Sequence, residues 1–298
     1  MTITPPKPET LDKIRAGDAA MMRRLLARTW LEQQGDTSLP HAVEGSRIRH
    51  SWAAKCARAL RYEIDGVPAS NPPDVASQWS FRLGHLVHDE IQAALVEMFP
   101  NCAIEVKYPN PEVDGSFTLD AEIDWLTDDG EDAEAHVVEI KSINGFGFKK
   151  MIGTRGRAEG PRHSALLQLA LNANATPYCR GGWLIYASLE NISVGEAERN
   201  DLTVLDRFLK VTWYPIDQLT PLAKLEEERF RQVLDEADAG TPTPRVIPDP
   251  DIPAGAVVTD PTRGEWKVLD ANGGILDTGT TWQCSYCNFR TTCIEDGA

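Results

Sequence analysis

The segment Phe117-Thr118-Leu119-Asp120-Ala121-Glu122-Ile123-Asp124-Trp125 is followed, after an acidic turn over 127–133, by Val137-Val138-Glu139-Ile140-Lys141. Apolar and polar residues alternate at every step of the first segment. That is the period of a strand, whose successive side chains point to opposite faces. Phe117, Leu119, Ala121, Ile123 and Trp125 are expected on one face, and Thr118, Asp120, Glu122 and Asp124 on the other. Carboxylates crowded on one strand face repel each other unless the face is wet or holds a cation. An exposed face is common in antiparallel sheets, so the cation site is the sharper of two readings. In the second segment Val138 and Ile140 belong to the core, while Glu139 and Lys141 share the opposite face. A Glu and a Lys one residue apart in an otherwise apolar strand are costly unless used. Together the segments predict a hairpin.

Around this hairpin the hydrophobic period changes. Apolar spacing predicts helices over 11–34, 46–64 and 78–99 before it, and a strand over 103–108. After it come a helix over 162–175, strands over 182–188 and 208–214, and a helix over 219–239 with a Glu-rich solvated face. The stretch 241–253 carries five prolines and is expected as a strap without regular structure. A small hairpin over 257–277 follows, and cysteines close the chain. This order predicts an α/β protein with one central mixed sheet flanked by helices. Residues 1–45 read as an N-terminal helical extension and 46–298 as one domain that includes the strap and the cysteine tail.

Composition excludes several classes. The 298 residues carry 30 Lys+Arg against 45 Asp+Glu, a net charge of −15, so a general electrostatic grip on nucleic acid is absent. Any nucleic-acid site must be a local basic patch. No apolar run of about 18 residues is present, so a membrane span is not expected. The first residues lack an apolar signal core, and a cytoplasmic location is the expectation.

Three of the six cysteines, Cys284, Cys287 and Cys293, fall in the last 15 residues as C-x2-C-x5-C, a clustering that points to one soft metal centre. A fourth ligand is missing locally. Cys56, beside Lys55 and Arg58, is the best candidate, whereas Cys102 and Cys179 read as plain buried thiols. The spacing leaves both a zinc site and a [4Fe–4S] cluster open, although zinc favours two C-x2-C pairs.

Asp124 followed by Glu139-x-Lys141 resembles the D…(E/Q)-x-K motif of the PD-(D/E)xK nuclease superfamily. Gly84-His85-Leu86-Val87-His88 resembles the G-x-x-x-H motif of its RecB-like members, whose His binds metal. On a helical wheel Leu83, Leu86, Val87, Ile91, Ala94, Leu95 and Met98 form one stripe, His85 lies opposite and His88 on the flank. Gln168 matches the first residue of a Q-x-x-x-Y motif, with Asn172 in place of the Tyr. With Cys56, preceded by Arg49-His50-Ser51-Trp52, and the terminal cysteines, the order is similar to the iron–sulfur branch of RecB-like nucleases. That branch includes AddB-type nuclease domains and the Cas-four kind of CRISPR-associated exonuclease.

The resemblance implies a restriction-endonuclease-like core tied by a [4Fe–4S] cluster on Cys56, Cys284, Cys287 and Cys293. It implies a metal-dependent DNA exonuclease acting on single-stranded ends. His88, Asp124, Glu139 and the carbonyl of Ile140 would hold Mn²⁺ or Mg²⁺, with Lys141 and Gln168 completing the catalytic set. Asp120 and Glu122 would tune the site without being ligands. Lys149, Lys150, Arg155 and Arg157, followed by Arg162 and His163, are the expected DNA contacts, with Phe146 and Phe148 offering rings for stacking. The alternative is a weakly active or inactive DNA-end binding or assembly subunit, serving a helicase, an integrase or a recombination, repair or CRISPR adaptation complex.

Overall fold

A computed structural model describes residues 7–32, 47–71, 75–126, 133–154 and 156–296. Its elements in chain order are α1 (Pro8–Arg15), α2 (Ala19–Glu32), β1 (Ile48–Arg49), α3 (Ala57–Ile64), α4 (Val75–Met98) and β2 (Cys102–Asn110). Then come β3 (Gly115–Leu126), β4 (Ala133–Ile143), α5 (Gly145–Ile152), α6 (His163–Ala175), β5 (Cys179–Ser188), α7 (Val194–Arg199) and β6 (Leu209–Pro215). The chain ends with α8 (Ile216–Asp238), β7 (Val257–Asp260), β8 (Glu265–Leu269), β9 (Ile275–Thr280) and α9 (Arg290–Glu295).

The expected mixed sheet is present. β3 pairs antiparallel with β2 and β4, β4 runs parallel to β5, and β6 pairs antiparallel with β5. Val137 and Val138 enter different apolar clusters, as adjacent strand residues must. One face packs on α3, α6 and α8 through Leu60, Leu169 and Phe230. The other packs on α1, α2 and α4 through Ile14, Met22 and Leu95. Burying an apolar face on each side is what holds a sheet between two helix layers. The helical extension therefore shares a core with the sheet.

β3 departs from strict alternation. Phe117 and Leu119 pack with the α6 and α8 layer, whereas Ala121 and Ile123 pack with the α4 layer. The strand switches faces at Asp120, and the register shows why. β2 occupies one edge of β3 from Gly115 to Ile123. β4 holds the other edge only from Ala121 to Leu126, and β1 takes Gly115 and Ser116. Between them the edge of β3 is open, and β3 and β4 fork. The acidic turn itself, over 127–132, lies outside the described residues.

Two helices differ from expectation. The 11–34 helix is broken between α1 and α2, because Gly17 takes φ +85° where a Cβ would lie 2.5 Å from the Trp213 ring. The 46–64 helix is only α3, preceded by β1 and a 3-10 turn over His50–Trp52. Ala54, at φ 61°, interrupts it, and Cys56 stands at the α3 N-cap. The face of α8 is not wholly solvated either. Glu226 is buried against Arg229 and the Ala54 amide, and Glu227 accepts from Asn174 Nδ2 at 3.2 Å.

The strap laces the tail to α3. Ala57 N donates to Val246 O at 2.8 Å, Arg58 Nε to Thr243 O at 2.8 Å, and Val246 bridges Val257. The expected hairpin beyond it is a three-stranded sheet, β7-β8-β9. No described helix is long and apolar enough to cross a membrane.

Candidate metal and nucleic-acid site

The fork is where the charged residues meet. Asp120 Oδ2 accepts from Ile140 N at 2.6 Å, a carboxylate bond standing where a backbone rung could run. Asp120 Oδ1 lies 3.7 Å from His88 Nδ1. α4 brings His88 over the sheet because Gly84 lets helix and strand approach closely: a Cβ there would lie 2.8 Å from Ser142 Oγ. One turn beyond His88, Gln92 Nε2 donates to the Asp120 carbonyl at 2.8 Å. His85 is exposed, as its wheel position predicts, but so is Leu86, at 49%.

Glu139 is 1% exposed and Lys141 Nζ lies 2.5 Å from its Oε1. That oxygen is buried with the Lys141 ammonium as its partner, while Oε2 accepts from Asn172 Nδ2 at 2.9 Å. Lys141 also donates to Gln168 Oε1 at 2.9 Å. Burial pushes the Glu139 carboxyl up, against the pull of Lys141. Burial opposes the Lys141 charge, but Glu139 and Asp120 outweigh it and hold the ammonium above its ordinary value. Burial likewise opposes a charged His88, and Asp120 reverses the balance.

The hairpin register places a different aspartate at the fork from the one expected. Asp124 pairs with Ala135 and Glu122 with Val137, so Asp120 is the residue two steps on, level with Glu139. Asp124 is four residues from Asp120, about 13 Å along a strand rising ~3.3 Å per residue. It lies instead near Glu122 and Cys102, and burial alone raises its pKa. Glu122 accepts from the Tyr108 hydroxyl at 2.8 Å. The fork thus gathers His88, Asp120, Glu139, Lys141 and Gln168, and leaves out Asp124.

Among the described residues, no three His, Cys, Asp or Glu side chains form a ready-made ion site. The donor chemistry nevertheless suits a hard cation: an imidazole, two carboxylates and a neighbouring carbonyl at Ile140.

The basic segment is partly spent internally. Residues 145–152 form α5, and Lys149 pairs with Glu196 at 2.5 Å. Lys150 pairs with Glu159 at 3.1 Å and lies over the Phe146 ring. Arg157 is exposed, with no ion-pair partner among the described residues. Arg155 lies outside the described residues. Phe146 is exposed but Phe148 is fully buried, so only one ring is available for stacking. Arg162, one of the expected DNA contacts, is exposed at the α6 N-cap, its amide donating to Tyr186 Oη at 3.1 Å.

A second cluster forms at the tail. Cys56 and Cys284 pack beside Ile247, Val258 and Trp266, while Cys287 and Cys293 pack beside Tyr62 and Phe289. Burial pushes the Cys56 thiol up to about 11, and Cys293 and Cys287 add to it. Cys284 is pushed up to about 12 by burial and by the other three. The four cysteines thus come to one end of the fold in two adjoining pairs, without a ready-made ion site among the described residues. Arg245, from the strap and 4% exposed, donates from Nε to Cys293 Sγ at 3.0 Å and also bonds the Cys293 carbonyl. Four sulfur donors beside a cation are a donor set of the kind a soft metal centre takes. Cys102 and Cys179 lie apart from it, Cys102 near Asp124 and Cys179 donating to the Gly181 carbonyl.

Comparison with family models and with curated proteins yields no match for this chain.

Proposed function

We propose that this protein is a divalent-cation-dependent deoxyribonuclease with a RecB-like, restriction-endonuclease-like core, acting on single-stranded DNA ends. Its tail cysteines hold a structural [4Fe–4S] cluster. The observation that carries the reading is the meeting of His88, Asp120, Glu139 and Lys141 at the fork between β3 and β4.

His88, Asp120, Glu139 and the Ile140 carbonyl are the residues that would hold Mn²⁺ or Mg²⁺. A cation there supplies Lewis acidity toward a phosphate oxygen and acidifies an attacking water. The chain's own groups do the rest. Lys141 stays protonated beside two carboxylates and offers a fixed positive charge to the phosphate as its charge builds. Gln168 holds that ammonium in place. Gln92 and the Ile140 amide pin Asp120 at both its carbonyl and its carboxylate, so the site is preorganised at its acidic centre. Arg162 and Arg157 are the cations best placed to take backbone phosphates, and exposed Phe146 offers a ring for base stacking. Cys56, Cys284, Cys287 and Cys293 join α3 to the carboxyl end, with Arg245 offsetting sulfur charge.

The test is hydrolysis of end-labelled single-stranded DNA by protein purified without oxygen, with Mn²⁺, with Mg²⁺ and with EDTA. Cation-dependent release of nucleotides is the expected result. A protein that binds DNA ends but cleaves none, with its iron intact, would instead be the assembly subunit.

A further inference from the structure

Behind Glu139 runs a line of buried polar side chains that the proposed chemistry does not use. Asn110, His50 and Asn172 are each 1% exposed. Asn110 lies 2.9 Å from His50 Nε2, His50 Nδ1 lies 2.9 Å from Asn172 Oδ1, and Asn172 Nδ2 lies 2.9 Å from Glu139 Oε2. The His50 ring stacks on Phe117, with centroids 4.3 Å apart and planes at 5°. Three elements that are far apart in sequence converge here: the 3-10 turn before Cys56, the end of β2, and α6.

The direction of every bond follows from one fixed donor. A backbone N–H can only donate, and Glu112 N donates to Asn110 Oδ1 at 3.1 Å. The other end of the Asn110 amide is therefore its NH₂, which donates to His50 Nε2. With Nε2 accepting, a neutral ring carries its proton on Nδ1 and donates to Asn172 Oδ1. That bond turns the Asn172 NH₂ toward Glu139, where an ionised carboxylate can only accept. Burial without a charged partner favours this neutral form.

We infer that His50, held as its Nδ1–H tautomer between Asn110 and Asn172, is a positioning residue that fixes the Glu139 carboxylate for cation binding. The inference rests on Glu139 being a cation ligand, as proposed above. It assigns Asn172 a definite duty: an amide at this position, unlike a phenol, passes on the orientation that His50 sets. It also links the two sites, since His50 lies six residues before Cys56 on the same short connection. Partners one step behind a ligand commonly govern its orientation and affinity.

The experiment has two parts. Two-bond ¹H–¹⁵N spectra of the full-length protein, recorded before Mn²⁺ is added, report which His50 nitrogen is protonated; the signal is assigned by its loss in His50→Asn. The expected pattern is Nδ1–H, and an Nε2–H or doubly protonated ring overturns the inference. Mn²⁺ affinity is then measured by electron paramagnetic resonance for the wild type, His50→Leu and His50→Asn, with iron content checked in each. The Leu variant lacks the donor and should bind about 10–100-fold more weakly. The Asn variant keeps an amide N–H where Nδ1–H stood and should recover most of that loss. Equal affinity in all three, or equal loss in both variants, overturns the inference. If the wild type binds no Mn²⁺, the cation-site reading itself fails, and the tautomer alone then decides whether the relay exists. A Leu variant that does not fold leaves the same tautomer measurement decisive.

Discussion

Replacing Asp120 by Asn should abolish cleavage, and replacing Asp124 by Asn should not. The two residues sit on one strand, and by strict alternation they would share a face. Asp120 is 3.7 Å from His88, bonds the Ile140 amide at 2.6 Å and contributes to the electrostatics of both Glu139 and Lys141. Asp124 stands about 13 Å further along the strand. At that range a unit charge interacts with the fork by about 1 kcal/mol at an effective dielectric of 20, and less where water intervenes. Losing a charged hydrogen bond at Asp120 costs about 1.5–3 kcal/mol of local order. Removing one preorganised charge from the site lowers the rate by about 10²–10³. Single-turnover cleavage of end-labelled DNA with saturating Mn²⁺ measures both variants. Asp120→Asn should fall by about that factor, and Asp124→Asn should stay within about threefold, the ratio that well under 1 kcal/mol allows. An inert Asp124→Asn beside an active Asp120→Asn would refute the register argument and restore Asp124 as the ligand.

Three further outcomes are expected. Protein purified without oxygen should be brown with about four irons per chain; Cys56→Ser should lose the iron, Cys102→Ser should keep it, and stoichiometric zinc would contradict the assignment. Arg157→Ala should reduce both DNA affinity and the slope of its salt dependence. Lys149→Ala should change either little, because Glu196 already neutralises that lysine; filter binding across a salt series separates the two. Finally, burial pulls the His50 pKa from 6.5 down to about 4, so the folded state binds fewer protons than the unfolded between those values. Its contribution is complete above pH 6.5 and is lost as pH falls toward 4, amounting to about 2 kcal/mol between pH 8 and pH 5. Denaturant titrations at the two pH values should show that loss in the wild type and lack it in His50→Asn; an unchanged difference would count against a neutral buried ring.

Much of this arrangement is visible in the residues, and the rest is hidden for identifiable reasons. The alternation of β3 and β4 and the long apolar stripe of α4 reflect burial patterns with strong periods, so the hairpin, the helix and the separation of His88 from His85 can be read directly. The face switch at Asp120 cannot, because it arises where β4 leaves the edge of β3, a pairing event with no local signal. That switch, together with the register, is what exchanges Asp124 for Asp120. The break at Gly17 is masked because the apolar spacing from Leu11 to Trp30 continues across it; the Trp213 ring that requires it comes from β6. Lys149 looks available in sequence because Glu196, its partner, lies on a short helix 47 residues away. His50 and Asn172 are legible only as polar residues in helical or turn sequence. Their meaning comes from the fold, which aligns them behind Glu139.

The central claim is that Glu139 and its neighbours at the fork carry phosphodiester hydrolysis. Its most direct test compares the wild type with Glu139→Gln, both purified without oxygen and with equal iron content, on end-labelled single-stranded DNA with Mn²⁺. The account predicts nucleotide release by the wild type that EDTA stops, and a loss of about 10²–10³ in rate for the variant. Equal rates for the two proteins would place the chemistry elsewhere on the chain.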